Sequence, residues 1–280
     1  MMDSARSNPR DTRPMDDPAE ATTPRFSVEN GVATIRLNRP AVANRIEPAD
    51  IAALLDIFGR IDADREVRAV VLTGTGRIFS SGYHLGDLQG RASGQREETS
   101  SSSGSSAFEQ MVNVLDNLRV PTICKLNGGV YGGATDLALC CDFRIGDTTA
   151  QMFMPAARLG LHYYESGMVR YVSRLGVNAA KMLFLTARRI QAEEMFRIGY
   201  LTTLCRASEL DAAVDDLVKD LSAMAPLAVA GMKRAINEIA RDELDSAAFA
   251  ERARQCFQSE DIKEGLRAFH EKRAPRFSGR

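Results

Sequence analysis

Two glycine-rich stretches carry the residues best suited to chemistry: Gly74-Thr-Gly-Arg-Ile-Phe-Ser-Ser-Gly-Tyr-His-Leu85 and Asn127-Gly-Gly-Val-Tyr-Gly-Gly-Ala-Thr-Asp-Leu137. A glycine-rich turn that feeds a helix points several backbone N–H groups at one small volume, which suits negative charge developing on an oxygen. Two such turns meeting would make an oxyanion hole; taken singly, each also serves as a solution to tight backbone packing. Neither ends in the Gly-Lys-Ser/Thr of a phosphate loop, and neither has the spacing of a dinucleotide fingerprint. Nucleotide hydrolysis and nicotinamide chemistry therefore lose support. Cys124, Cys140, Cys141, Cys205 and Cys256 include no CxxC pair, and the three histidines lie far apart in sequence. Metal binding has little support, and the cysteines read as buried thiols of a reducing compartment.

Elements able to hold these turns are legible around them. Arg25 to Glu29 and Val32 to Leu37 flank Asn30-Gly31 and predict a hairpin. Ile51, Leu54, Leu55, Phe58 and Ile61 recur at helical spacing behind Pro48. Val67 to Thr73, Pro121 to Leu126 and Phe143 to Ile145 read as strands, with a short, tightly packed helix between the last two. From Glu165 onward the pattern is helical over 165–175, 178–186, 191–197, 208–222, 226–242 and 244–256. Leu210, Val214, Leu217, Val218 and Leu221 form one apolar stripe. Strands alternating with helices predict an α/β fold with its ligand near strand ends.

Composition bounds the rest. Of the 280 residues, 44% are hydrophobic and 26% charged, which excludes fibrous and fully disordered classes. The 36 Lys and Arg against 37 Asp and Glu leave a net charge of −1, so there is no broad field for a nucleic acid or an anionic membrane. Any anion must be gripped locally. Residues 1–24 mix both charge signs with four prolines and no apolar run; they read as a disordered leader rather than a secretory signal. No apolar run is long enough to span a membrane, and a cytoplasmic location is expected. The polar, serine-rich 88–106 segment is either an idle insertion or a mobile flap over a site.

Taken in order, several pieces resemble the enoyl-CoA hydratase/isomerase, or crotonase, family. They are Ile35-Arg-Leu-Asn-Arg-Pro40 with Asn44, Val71-Leu-Thr-Gly74 followed by Phe79-Ser-Ser-Gly82, Asn127-Gly through Gly132-Gly133 with Asp136 and Cys141-Asp142, and the terminal segment from Ser259 to Phe277. The resemblance implies a crotonase-like spiral of repeated ββα units over 25–205, with the flexible 88–106 loop. It also implies a C-terminal helical trimerisation region over 206–280, in a homotrimer or dimer of trimers. The implied activity is that of an acyl-CoA enzyme of isomerase or hydratase type, which stabilises a thioester enolate. A divergent C–C hydrolase or lyase of an oxo-acyl-CoA, or a catalytically silent acyl-CoA-binding scaffold, are the alternatives. Coenzyme A enters as the thioester substrate, and no permanently bound cofactor is implied.

Residue by residue, the resemblance puts the oxyanion donors at the main-chain N–H groups of Tyr83 and Gly133. Asp136 takes the place of the first hydratase glutamate, or caps its own helix. Ala156 stands where the second glutamate is expected, and alanine transfers no proton. Glu165 is the available second carboxylate, or a helix-start charge. His84, His162, Tyr163 and Tyr164 either shape the acyl pocket or pack and hydrogen-bond locally. Phe269 and Lys272 match the adenine and 3′-phosphate contacts, with Arg39 a further cation at the cofactor edge; without the resemblance, Lys272 reads as a basic helix end.

Overall fold

The computed structural model describes residues 22–83 and 106–280. Most of the expected leader, residues 88–105 of the serine-rich segment, and His84 lie outside the described residues. The chain opens with β1 (Arg25–Glu29) and β2 (Val32–Leu37), an antiparallel hairpin pairing Phe26 with Ile35 and Val28 with Ala33. Asn30 and Gly31 both sit at positive φ, 50° and 77°, as a two-residue hairpin turn of the favoured hand demands.

Helix α1 (Pro48–Ala63) follows, with proline in its first turn, where a missing N–H costs nothing, and Ile51, Leu54, Ile57, Phe58 and Ile61 on its buried face. Then come β3 (Ala69–Gly74), β4 (Ile78–Ser80), α2 (Ala107–Asp116), β5 (Thr122–Leu126), β6 (Gly129–Tyr131), α3 (Gly133–Cys140), β7 (Phe143–Asp147) and β8 (Gln151–Phe153). The strands sort into two sheets. One has the order β1-β2-β3-β5-β7-β10 and the other β4-β6-β8-β9, where β9 is Ile190–Gln191 and β10 is Thr203–Cys205. β3, β5 and β7 are each followed by a short strand of the second sheet, β4, β6 and β8, so the chain winds as a spiral of ββα turns. All six residues of β3 are buried, the signature of a parallel strand covered on both faces.

A long helix, α4 (Glu165–Thr186), kinks at Gly176, where φ is 80° and ψ 160°. The two segments expected there, 165–175 and 178–186, are the arms of this kink. Beyond it lie α5 (Ala192–Arg197), α6 (Leu210–Ser222), α7 (Pro226–Ala240), α8 (Ser246–Gln258) and α9 (Glu260–Glu271). The predicted stripe on α6 packs against Val71, Ile123 and Ile145, the outer face of the large sheet. Helix α2 was not anticipated, and α9, within the expected helical region and ending where Lys272 reads as a basic helix end, had no predicted range of its own. Each is capped by a serine side chain: Ser106 accepts from the Glu109 N–H and Ser259 from the Ile262 N–H.

Candidate active site where two glycine turns meet

Asparagine side chains hold both turns. The Asn44 amide donates to the carbonyls of Thr75 and Ile78, each at 2.8 Å, and accepts from the Arg39 N–H. Asn127 donates to the carbonyls of Gly74 and Gly76 and accepts from the Gly74 N–H. Polar side chains that satisfy backbone groups fix irregular loops that no sheet ladder could hold. Ser80 donates to the Asn44 carbonyl at 2.7 Å and accepts from the Gly82 N–H, while the Gly82 carbonyl takes the Ile46 N–H.

Gly82 is where the turns touch. Its φ is 94°, and a methyl group added there would lie 2.6 Å from the Tyr131 carbonyl oxygen and 3.0 Å from the Gly133 nitrogen. Only glycine fits such an approach. Gly133 opens α3, so its N–H lies among the first-turn donors that have no acceptor within their own helix. A methyl group on Gly133 would meet Tyr83 Cβ at 3.6 Å and the Phe108 ring at 3.1 Å. Phe108, on α2, tilts against the Tyr83 ring at 5.5 Å and meets Tyr164 edge-on at 6.4 Å. One aromatic ring thus bridges the two glycine turns to the segment ahead of α4.

Asp136 lies one helical turn past Gly133 and is fully buried. Both its oxygens accept from Nη1 of Arg170, at 2.9 and 2.7 Å, and Oδ2 also accepts the Tyr164 hydroxyl. Tyr163 donates in turn to the Tyr164 oxygen at 3.1 Å. The two tyrosine rings stack at 4.3 Å directly over Gly167, where a side chain would collide with both. Burial first, and the Asp136 charge second, push both phenols well above their ordinary pKa, so they remain protonated donors. Burial opposes the charge on Arg170, but Cys140, Asp136 and Asp116 outweigh it and hold its pKa above the usual arginine value. Arg170 also donates to Asn113 at 2.7 Å and lies 3.6 Å from Asp116, itself paired with Arg174 and Arg241.

The structure therefore gathers Tyr83, Gly133, Asp136, Tyr163 and Tyr164. Among the described residues, the side chains of Glu165, Arg39, Phe269 and Lys272 make none of that cluster's contacts, and His162 meets it only at the Tyr163 backbone. Glu165 is an exposed first residue of α4. His162 is exposed, with Nδ1 2.8 Å from the Tyr163 carbonyl. Arg39 is engaged by Asp50 through two hydrogen bonds, 2.8 and 3.1 Å long, which raise its pKa. Phe269 and Lys272 are exposed at the end of α9. Ala156 is buried in a 3-10 turn, Ala156–Leu159.

Three members were missed from sequence. Arg170 shares the buried face of α4 with Gly167 and Tyr171, and an arginine on an apolar face is itself a sign of a buried carboxylate. Phe108 and Glu109 lie on the unanticipated α2, with the nearly buried Glu109 accepting the Ser166 hydroxyl at 2.7 Å. Among the described residues no group of three or more His, Cys, Asp and Glu is arranged to hold a metal ion.

A profile of the enoyl-CoA hydratase/isomerase family matches residues 27–280. The chain is 32% identical over 254 residues to the short-chain-enoyl-CoA hydratase of Clostridium acetobutylicum, covering 88% of this chain and 93% of that one. It is 31% identical over 262 residues to the carnitinyl-CoA dehydratase of Proteus mirabilis, covering 91% and 98%. In structure it superposes on the enoyl-CoA hydratase of Bacillus anthracis with a TM-score of 0.80 at 29% identity, covering 92% of this chain and 100% of that one. A match over nearly the whole chain, on a spiral of ββα turns with two touching glycine loops, places this protein in the enoyl-CoA hydratase/isomerase family.

Proposed function

We propose that this chain transforms acyl-CoA thioesters through an enolate, with the main-chain N–H groups of Tyr83 and Gly133 as the donors to its oxygen. The observation that carries the reading is the 3.0 Å approach of a Gly82 side-chain position to the Gly133 nitrogen, which makes the two turns one site. Enolate charge develops on the thioester oxygen only during reaction, so fixed donors aimed at it favour the transition state over the bound substrate. Double-bond isomerisation fits best. It needs one proton moved between carbons, whereas two-carboxylate hydration asks for a second acid where Ala156 offers a methyl group. Hydration is the second reading, favoured by relatives named hydratase and dehydratase.

Coenzyme A has a phosphate and an adenine to be held. Lys272 and Phe269 are free of the core and suit a ligand seated between copies of the chain, while Arg39 is already committed to Asp50. Gly133→Pro tests the reading. Proline is tolerated at the first helical position and removes the N–H, while Gly133→Ala brings the same Cβ against Phe108 and keeps the N–H, so turnover of 2-enoyl- and 3-enoyl-CoA by the proline variant should fall ~10²–10³ in kcat below the alanine variant. A folded variant with near-normal kcat rules the oxyanion assignment out.

A further inference from the structure

The carboxylate at the head of α3 is shielded from any substrate. Asp136 has no solvent exposure, and three of its roughly four acceptor positions are filled by Arg170 and Tyr164. Tyr164 lies between it and the Phe108 ring. Its hydroxyl donates to Asp136, accepts from Tyr163 at 3.1 Å, and its ring faces Phe108, the side chain that touches both oxyanion turns.

We propose that Tyr164 is the catalytic proton-transfer group of this site, with Asp136 as the proton store behind it and Arg170 as the positioning residue that orients the Asp136 carboxylate. The proposal rests on the thioester reading above. In enolate formation the substrate C–H bond breaks and its electron pair moves to the thioester oxygen. The proton goes to the Tyr164 oxygen while the original Tyr164 proton passes to Asp136 Oδ2. Before the return the Tyr164 hydroxyl trades its proton with water; in the second half Asp136 returns its proton to Tyr164, and Tyr164 delivers the solvent-derived one to the receiving carbon as the carbonyl re-forms. Atoms and charge balance with no outside reactant but water. Burial and the neighbouring carboxylate disfavour a free Tyr164 phenolate, which is why gain and loss at its oxygen have to be concerted. The Tyr163 hydroxyl donates to the Tyr164 oxygen and so takes one of its lone pairs, leaving one for the incoming proton.

The test uses the full chain and butyryl-CoA, a saturated thioester that can only exchange its α-protons. Deuterium uptake from D2O is read by mass spectrometry and binding by calorimetry. Tyr164→Phe should bind butyryl-CoA within about twofold of the parent while exchange falls by about a hundredfold or more. Asp136→Asn, which still accepts a hydrogen bond but stores no proton, should lose exchange to a similar degree. It also serves should Tyr164→Phe fail to fold. Exchange within about threefold of the parent in either folded variant overturns the relay. A parent protein that binds butyryl-CoA without exchanging it also overturns the relay and leaves thioester binding standing. A parent that does not bind overturns the thioester reading, and the relay with it.

Discussion

At the scale of single residues, the Asp136–Arg170 pair decides what the site is made of. Removing one partner of a buried, hydrogen-bonded ion pair leaves an uncompensated charge and costs ~3–5 kcal/mol. Arg170→Met should lower unfolding stability by about that amount in urea denaturation; a loss below ~1 kcal/mol would mean that Asp136 finds other partners. The two glycine turns were legible in the sequence because glycine has few substitutes where backbones touch. Arg170 was not, because the pairing spans 34 residues and no local pattern encodes which carboxylate a helix face will meet. Nor could residue type alone show that Tyr164 stands between Asp136 and the aromatic ring at the turns, since that depends on how α4 lies across α3.

At the scale of elements, legibility follows length and periodicity. The hairpin, α1 and the stripe of α6 repeat a pattern over enough residues to be read, whereas β4, β6 and β8 have three residues each and β9 two, too few to show a period. Helix α2 emerges directly from the serine-rich stretch, and its polar start hid a strong apolar face bearing Phe108, Met111, Val112 and Leu115. Helix α9 carries its charges in ion pairs such as Glu264 with Arg267 and Arg273, and so has the composition of an exposed tail. The α6 stripe covers the large sheet, and the buried Leu210 is its deepest member along with Val214. Leu210→Ala should therefore cost ~2–5 kcal/mol by thermal or urea melting, without altering butyryl-CoA affinity. A cost near zero would show that α6 only rests on the sheet.

At the scale of the whole molecule, the C-terminal helices leave apolar side chains facing outward. Ile236 on α7, Phe257 on α8 and Leu266 on α9 are 64%, 78% and 58% exposed, more apolar surface than an isolated globule tolerates comfortably. Their neighbourhood is the face we propose for contact with further copies of the chain. Light scattering should give a mass of three or six times 30.7 kDa, and Ile236→Glu combined with Phe257→Glu should shift it toward one. A parent protein that runs at 30.7 kDa would refute the assembly and remove the partner surface proposed for Phe269 and Lys272.

One carboxylate ties these scales together. Asp116 receives Arg174 from α4 and Arg241 from just beyond α7, with Arg170 3.6 Å away, and its backbone carbonyl takes Asn237. During synthesis, Asp116 and Asp136 leave the ribosome before any of these arginines, and Arg241 comes last. The growing chain thus carries two acidic groups that cannot be buried at low cost until their cations arrive. The site is completed from its C-terminal side, and a truncated product that stops short of Arg241 is left with a loosened hub where a protease can enter.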